Sequence, residues 1–256
     1  MNTAVKFRMP AVSTDLGRVD RYQVRMARSS EEIASALRLR HEVFNIELGG
    51  GVETKDGPRM EFDAYDFRCR HLIVVDQVSG QTVGTYRLNT IETVGDANGF
   101  YSSSEFSVRT LPREILTNGV EIGRACVLRE HRNTKVLFKL WKGLLDFGAR
   151  SGKRYFFGCC SIFTQDERMG TAAYHKLVRE GHFHNEFCVT PLANGIDTSE
   201  ASKAPVVELP TLFNMYLRIG AKVCGPPMID RSFGTIDFFV VFDATQMNEK
   251  YRRLFA

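Results

Sequence analysis

No stretch of the 256 residues approaches the roughly 18 consecutive apolar side chains that a membrane-spanning helix needs. The longest apolar run, Phe238 to Phe242, has the length of a strand. Behind the charges of the N-terminal MNTAVKFRMPAVSTDLGRVD no apolar block follows, so no secretory leader is expected. The six cysteines (Cys69, Cys126, Cys159, Cys160, Cys188, Cys224) form no CxxC and no disulfide-framework spacing. Reduced thiols in a cytoplasmic protein are therefore expected. Neither sign of charge dominates: 34 basic against 30 acidic side chains leave +4, too mild for a nucleic-acid footprint. Tryptophan occurs once, against 19 Phe and 8 Tyr, so most aromatic surface carries no polar handle and suits a core or an apolar ligand site. There is no GxSxG elbow and no Walker motif. His182-x-His184 lacks a third ligand at matching spacing, so no metal is expected.

What is present is ordinary in composition, with 43% hydrophobic and 25% charged residues and no repeat or low-complexity tract. After a polar start, Ser29 and Glu32 carry a capping-box pattern that opens an amphipathic helix with Ile33, Leu37 and Phe44, ended by Gly49-Gly50-Gly51. A polar loop then runs to Arg59. His71–Asp76 and Thr82–Leu88 read as strands joined at Ser79-Gly80 in a hairpin. Further strands are expected over Val120–Leu128, Tyr155–Ile162, Lys222–Gly225 and Thr235–Phe242. Helices are expected over Asn133–Ala149, Asp166–Glu180 and Leu209–Ile219, with a loop over Thr190–Ala204. Interleaving without a strict βαβ rhythm predicts an α/β fold with a mixed sheet and helices on both faces. One domain over 29–256, behind an N-terminal extension over 1–28, accounts for the pattern.

The order strand, loop, helix across 120–149, then strand 155–162, resembles the core of the GCN5-related N-acetyltransferases. In that family a loop Arg/Gln-x-x-Gly-x-Gly/Ala presents bare backbone N–H groups to the coenzyme A pyrophosphate at a helix N-terminus. Here the stretch is Arg132-Asn-Thr-Lys135-Val-Leu137, and both small positions are filled. Charge stands in their place. Arg129, Arg132, Lys135, Lys139 and Lys142, offset by Glu130 alone, give this segment +4, the net charge of the whole chain. At about 100° per residue the last four share one arc, opposite Val136, Leu137, Leu140, Leu144 and Phe147. Such a stripe is commonly a solvated face; the sharper reading is a dock for an acidic protein such as acyl carrier protein. His131, next to Arg132, would border a carrier phosphate there or serve as a polar loop residue.

A second constellation is Arg40-x-x-x-Phe44, Asp63, Asp66, Arg87 and Glu121-Ile-Gly-Arg124. It resembles the signature of the acyl-homoserine-lactone synthases, in which the matching residues shape the site and acyl channel. Gly50 stands where that family carries a tryptophan. A wider resemblance runs from Leu37 to Asp243, through LRLRHEVFNIELG (37–49), FDAYDFRCRHLIVVD (62–76), VGTYRL (83–88), GFYSSSEF (99–106), EIGRACVLREHRNTKVLFKLWKG (121–143), YFFGCCSI (155–162), GHFH (181–184) and YLRIGAKVCGPPMIDRSFGTIDFFV (216–240). These segments resemble the first acyltransferases of ornithine-lipid synthesis and their "hemolysin-like" glycine-lipid relatives. The resemblance implies transfer of a fatty acyl group, often 3-hydroxylated, from the phosphopantetheine of acyl carrier protein to an amino acid's α-amine. It implies no permanently bound cofactor.

That chemistry needs a carboxylate, or a water held by one, to take the proton of an α-ammonium. Glu121 is the first candidate and Asp63 the second; the plainer reading of Glu121 is an ion pair with Arg124 or Arg87. Arg40, Arg87 and Arg124 are candidates to grip a substrate carboxylate, with Asp66 orienting one of them. Phe44, Phe100 and Phe106 are candidate walls for an acyl chain, at least one of them plain core. An oxyanion would need a backbone N–H near 120–128. Adjacent strand residues face opposite ways, so at most one of Cys159 and Cys160 faces the site, and both read as structural. Two rival functions remain: a signal synthase making a lactone or N-acyl amino acid, and a membrane-active hemolysin-like protein. Peripheral contact with a membrane surface needs only a basic or amphipathic patch.

Overall fold

A computed structural model describes residues 20–50, 59–199 and 207–255. In chain order the strands are β1 (Tyr22–Met26), β2 (Arg70–Asp76), β3 (Thr82–Thr90), β4 (Gly119–Val127), β5 (Tyr155–Ile162), β6 (Lys222–Val223), β7 (Met228–Asp230) and β8 (Thr235–Asp243). The helices are α1 (Ser30–Arg40), α2 (Ile91–Val94), α3 (Arg113–Thr117), α4 (Thr134–Ser151), α5 (Glu167–Arg179), α6 (Thr211–Ile219) and α7 (Glu249–Phe255). One mixed sheet results, in the order β1-β2-β3-β4-β5-β8-β6, with β7 also on β8. Its pairs are antiparallel except β4 with β5. A parallel pair requires a crossover, and α4 supplies it.

α4 starts where Asn133 accepts hydrogen bonds from the backbone N–H groups of Lys135 and Val136, and stops at left-handed Gly152. Between those caps the apolar arc buries Val136, Leu140, Trp141 and Leu144 in the larger core, against Leu72, Val74, Tyr86, Phe156 and Phe242. Gly143 lets the helix lie close on the sheet: a Cβ there would sit 2.6 Å from Val24 Cγ2 and 2.9 Å from Leu72 Cδ1. Trp141 meets Tyr216 and Phe242 edge-on, with centroids 5.0 and 6.0 Å away. On the opposite face α1 covers Ile73 and Val75 through Ala36. A second apolar group, including Phe100, Phe106, Phe157 and Phe239, lies under the segment 91–118. Helices on both faces match the expected fold class.

The sequence-based reading missed several features. β1 pairs with β2 from Tyr22 to Met26, inside the stretch set apart as an extension. Its alternation is muted, because only Tyr22 is fully buried. The helix expected to run through Phe44 is α-helical only to Arg40 and continues as a π-helix over His41–Glu47. That widened turn, followed by Gly49 at φ 69°, redirects Phe44 toward the sheet's centre. Short 3₁₀ turns fill 97–110, where no period is visible. α7 completes the chain's described part. The expected features at 1–19, 51–58 and 200–206 lie outside the described residues.

Candidate active site

β4 and β5 pair only at Gly119, Val120 and Glu121 with Tyr155, Phe156 and Phe157. Both strands continue, to Val127 and Ile162, without further pairing, so they fork after Glu121. At the fork itself the backbones still approach closely: a Cβ on Gly158 would lie 2.3 Å from the Ile122 carbonyl oxygen. Beyond it Gly123, Arg124 and Ala125 of β4 and Cys159 and Ser161 of β5 are partly exposed, within strands otherwise almost entirely buried. β4 also carries one extra residue opposite β3. Thr85 pairs with Cys126 and Arg87 with Gly123, which leaves Arg124 and Ala125 outside the register, with Arg124 at φ 50°. A left-handed non-glycine residue at a bulge costs on the order of 1–3 kcal/mol and marks a place held by its surroundings.

The surroundings are a lattice of three arginines and three acids. Arg40 is fully buried, bonded to Glu61 and, through both terminal nitrogens, to Asp66 at 2.7 and 3.0 Å. Arg87 meets Asp63 at 2.7 Å, and Arg124 meets Glu61 at 3.3 Å and Asp63 at 3.2 Å. Asp63 also caps the turn Ala64–Phe67, and Asp66 reaches back to the Asp63 N–H. Burial alone would raise the Asp66 pKa, but Arg40 and Arg87 hold it well below the carboxylate range. His71, buried beside the same arginines, is pushed down to about 4 and is neutral. All three arginines proposed for a substrate carboxylate thus already face carboxylates of the chain itself.

Glu121 pairs with neither Arg87 nor Arg124, which corrects the ion-pair alternative. Its oxygens accept from the Ser102 N–H and hydroxyl, both 2.7 Å, the Tyr101 N–H at 3.0 Å and the Asn89 amide at 3.3 Å. Four donors fill a carboxylate's acceptor sites, so Glu121 pins the 101–102 turn over the sheet.

Next to this lies a group that sequence reasoning missed. Glu105, Cys159 and Asp237 bring one ligating atom each within 4.8 Å of one another, and the Cys159 thiol donates to Glu105 at 3.2 Å. Burial, then the charge of Asp237, raises the Glu105 pKa to about 7. Burial, then Asp230, raises Asp237 to about 6. The Tyr101 hydroxyl beside Glu105 lowers the acid's pKa, and Tyr101 also contacts Arg124, whose guanidinium lies 4.5 Å from the Tyr101 ring and 4.4 Å from that of Phe233. The only signal in the sequence was an aspartate within an otherwise apolar strand, Ile236-Asp237-Phe238-Phe239. Cys159 and Cys160 face opposite sides, and burial raises both thiols well above their usual range, which disfavours a thiolate nucleophile.

The Acetyltransferase (GNAT) domain family matches residues 39–142. Three relatives, each named L-ornithine N(alpha)-acyltransferase, align along nearly the whole chain. That of Brucella abortus (strain 2308) is 32% identical over 92% of this chain and 89% of its own. That of Agrobacterium fabrum (strain C58) is 31% identical over 92% and 85%. That of Rhizobium meliloti (strain 1021) is 30% identical over 98% and 90%. The chain belongs to the L-ornithine N(alpha)-acyltransferase family. It is an acyltransferase of GNAT-like fold, and solved structures agree on the fold. An N-acyl amino acid synthase from uncultured soil microbes superposes with TM-score 0.52 at 10% identity, over 89% of this chain and 94% of that one. A CoA-dependent acyl-homoserine lactone synthase superposes with TM-score 0.50 at 15% identity, over 88% and 83%.

In this acyltransferase the expected acyl walls separate. Phe100 packs edge-on against Phe157 at 5.0 Å and Phe106 lies tilted against Phe239 at 5.7 Å, both inside the core. Phe44 meets Phe233 at 5.6 Å, next to the Arg124 stack and the fork. The basic stripe is partly spent within the chain. Arg129 and Arg132 converge on Glu47, Lys139 bonds Asp20, and Lys142 donates to the Phe255 carbonyl at 3.1 Å. Lys135 is exposed at the first turn of α4. His131 lies 3.1 Å from the Tyr22 hydroxyl.

Proposed function

We propose that this protein moves a (3-hydroxy)fatty acyl group from acyl carrier protein to the α-amine of ornithine, the first step toward an amino-acid-containing lipid. The carrying observation is the 30–32% identity, along nearly the whole chain, to relatives of that name. The fork between β4 and β5, with its partly exposed residues, supports a meeting point for two substrates there. In this reading the thioester carbonyl lies against the bulged backbone at Arg124 and Ala125, whose N–H groups stabilise the oxyanion. Once deprotonated, the acceptor nitrogen attacks and the C–N bond forms; the C–S bond then breaks, and the second proton that the nitrogen sheds goes to the sulfur, so that the carrier leaves as its thiol. Glu121, at the last paired position before the fork, takes the α-ammonium proton by giving up Asn89, the longest of its four donors. The arginine–acid lattice, Asp63 included, holds the bulge and Phe44 in place. Arg129, Arg132 and Lys135 present the basic rim to the carrier, with Lys139 and Lys142 further along α4. The amphiphilic product gives a motive for peripheral membrane contact; among the described residues no helix is long and apolar enough to cross a membrane.

The test combines purified protein, 3-hydroxyacyl carrier protein or acyl-CoA, and a panel of amino acids that includes ornithine and glycine, read by mass spectrometry. N-acylornithine from the carrier thioester is the expected product. Inactivity with every acceptor and both donors overturns the reading. Release of methylthioadenosine from S-adenosylmethionine would move it to a lactone synthase. Glu121→Gln is expected to lower kcat by roughly 10²–10⁴ with KM little changed.

A further inference from the structure

We infer that Glu105 and Asp237 form a subsite for the side-chain ammonium of the acceptor, which selects a diamino acid over neutral ones. The inference rests on the amino-acid N-acyltransferase reading above and adds the group that reads the acceptor's far end. Asp237 is only 4% exposed, and its Oδ1 has no hydrogen-bond partner, although the Ser161 and Thr235 hydroxyls stand beside the carboxylate. An orphaned buried carboxylate oxygen is costly unless something that donates arrives. Among the described residues no salt bridge involves Glu105, Asp230 or Asp237. Arg124, the cation beside them, is committed to Glu61 and Asp63. Asp230 spends one oxygen on the turn at Ser232 and Phe233, and its carboxyl raises the Asp237 pKa further.

The group is reachable and correctly placed. Cys159 and Ser161, partly exposed at the fork, border it. Ser102 ties it to Glu121: the Ser102 hydroxyl is 2.7 Å from Glu121 and 3.9 Å from the Cys159 thiol, which is 3.2 Å from Glu105. A side chain of a few methylenes spans that gap from an α-nitrogen at Glu121, whereas glycine has nothing to put there. An ammonium offers three donors to two carboxylates. A divalent metal could use the same oxygens. The third ligand would be a thiol that its surroundings keep protonated, and no histidine joins the group, so the ammonium is the better fit.

The decisive comparison is ornithine against norvaline, which has the same carbon chain without the terminal amine. Wild-type kcat/KM is expected to favour ornithine by about 100-fold or more. Asp237→Asn and Glu105→Gln should each collapse that ratio toward one, in protein shown folded by circular dichroism. Wild-type turnover of norvaline as efficient as that of ornithine overturns the subsite and leaves the transferase reading standing. A second readout needs neither variant nor turnover: calorimetric binding of each amino acid to wild-type protein without donor. Preference for ornithine supports the subsite even if no acyl transfer is found; equal or absent binding of both overturns it. Stoichiometric divalent metal in purified wild-type protein, lost in Asp237→Asn, would also overturn it in favour of a metal centre.

Discussion

Two polar groups share the face of the sheet beneath the 97–110 turns, and Arg124 stands between them. On one side Arg40, Arg87 and Arg124 balance Glu61, Asp63 and Asp66, charge for charge, with every guanidinium paired. On the other side Glu105 and Asp237 crowd together without a cation of their own. Burial acts on both groups alike, yet the carboxylates respond in opposite directions. Asp66 is held ionised by its arginines, while Glu105 and Asp237 retain protons up to about 7 and 6. A balanced lattice sets geometry; an unbalanced one is left open to a visitor. This is why the lattice is read as the frame of the site and the acid pair as its receptor.

The largest expected effect comes from unbalancing the frame. Glu61→Gln leaves Arg40, fully buried, with Asp66 alone and takes one partner from Arg124. Breaking a buried pair by removing one member costs about 3–5 kcal/mol, which urea denaturation would read as a clear drop in midpoint. A loss below about 1 kcal/mol would mean that the lattice is not what holds the bulge.

The opposite sign is expected on the acid side. Glu105 and Asp237 have folded pKa values above their usual 4.5 and 3.8, so the folded state binds extra protons at mildly acid pH. Their contribution is fully present below those ordinary values and is lost as pH rises through about 6 and 7. The double variant Glu105→Gln/Asp237→Asn should therefore be more stable than wild type at pH 8, by about 1–3 kcal/mol, and no more stable at pH 4. Urea midpoints across that range test it; parallel curves for the two proteins would show that the pair carries no such penalty. Asp66 follows the reverse rule, its contribution present above 3.8 and lost only as pH falls toward its depressed value.

How much of this was legible beforehand follows from what each feature depends on. β5 was legible to the residue, because a continuous apolar run bounded by turn residues has few other uses. β1 was not, since an edge strand with one buried side chain barely alternates. Arg40, Asp63, Asp66, Arg87, Glu121 and Arg124 were recognisable as a set through family resemblance, but not who meets whom. Glu121 found the Tyr101 and Ser102 N–H groups because the 97–110 turns fold over it, and those turns have no period to read. Glu105 and Asp237 escaped for a stronger reason. They lie 132 positions apart and meet only because β8 pairs with β5 and brings Asp237 opposite Ser161, near Cys159. Charge on the α4 stripe was visible at once, whereas its partners Glu47 and Asp20 were not.

The smallest effect tests the link between the two groups. The Tyr101 hydroxyl stands between Arg124 on the lattice side and Glu105 on the other, where it lowers the Glu105 pKa against the pull of burial. Tyr101→Phe keeps the ring over Arg124 and removes only that hydroxyl, at a stability cost of about 1 kcal/mol. Without it Glu105 should hold its proton to higher pH. Because the protonated acid offers less to an ammonium, the ornithine KM should begin to rise at a higher pH as the solution is acidified. With norvaline, which brings no ammonium, the pH profile should not move. A profile that shifts for both acceptors would place the tyrosine in the common chemistry instead. One that shifts for neither would mean that frame and receptor are neighbours without being coupled.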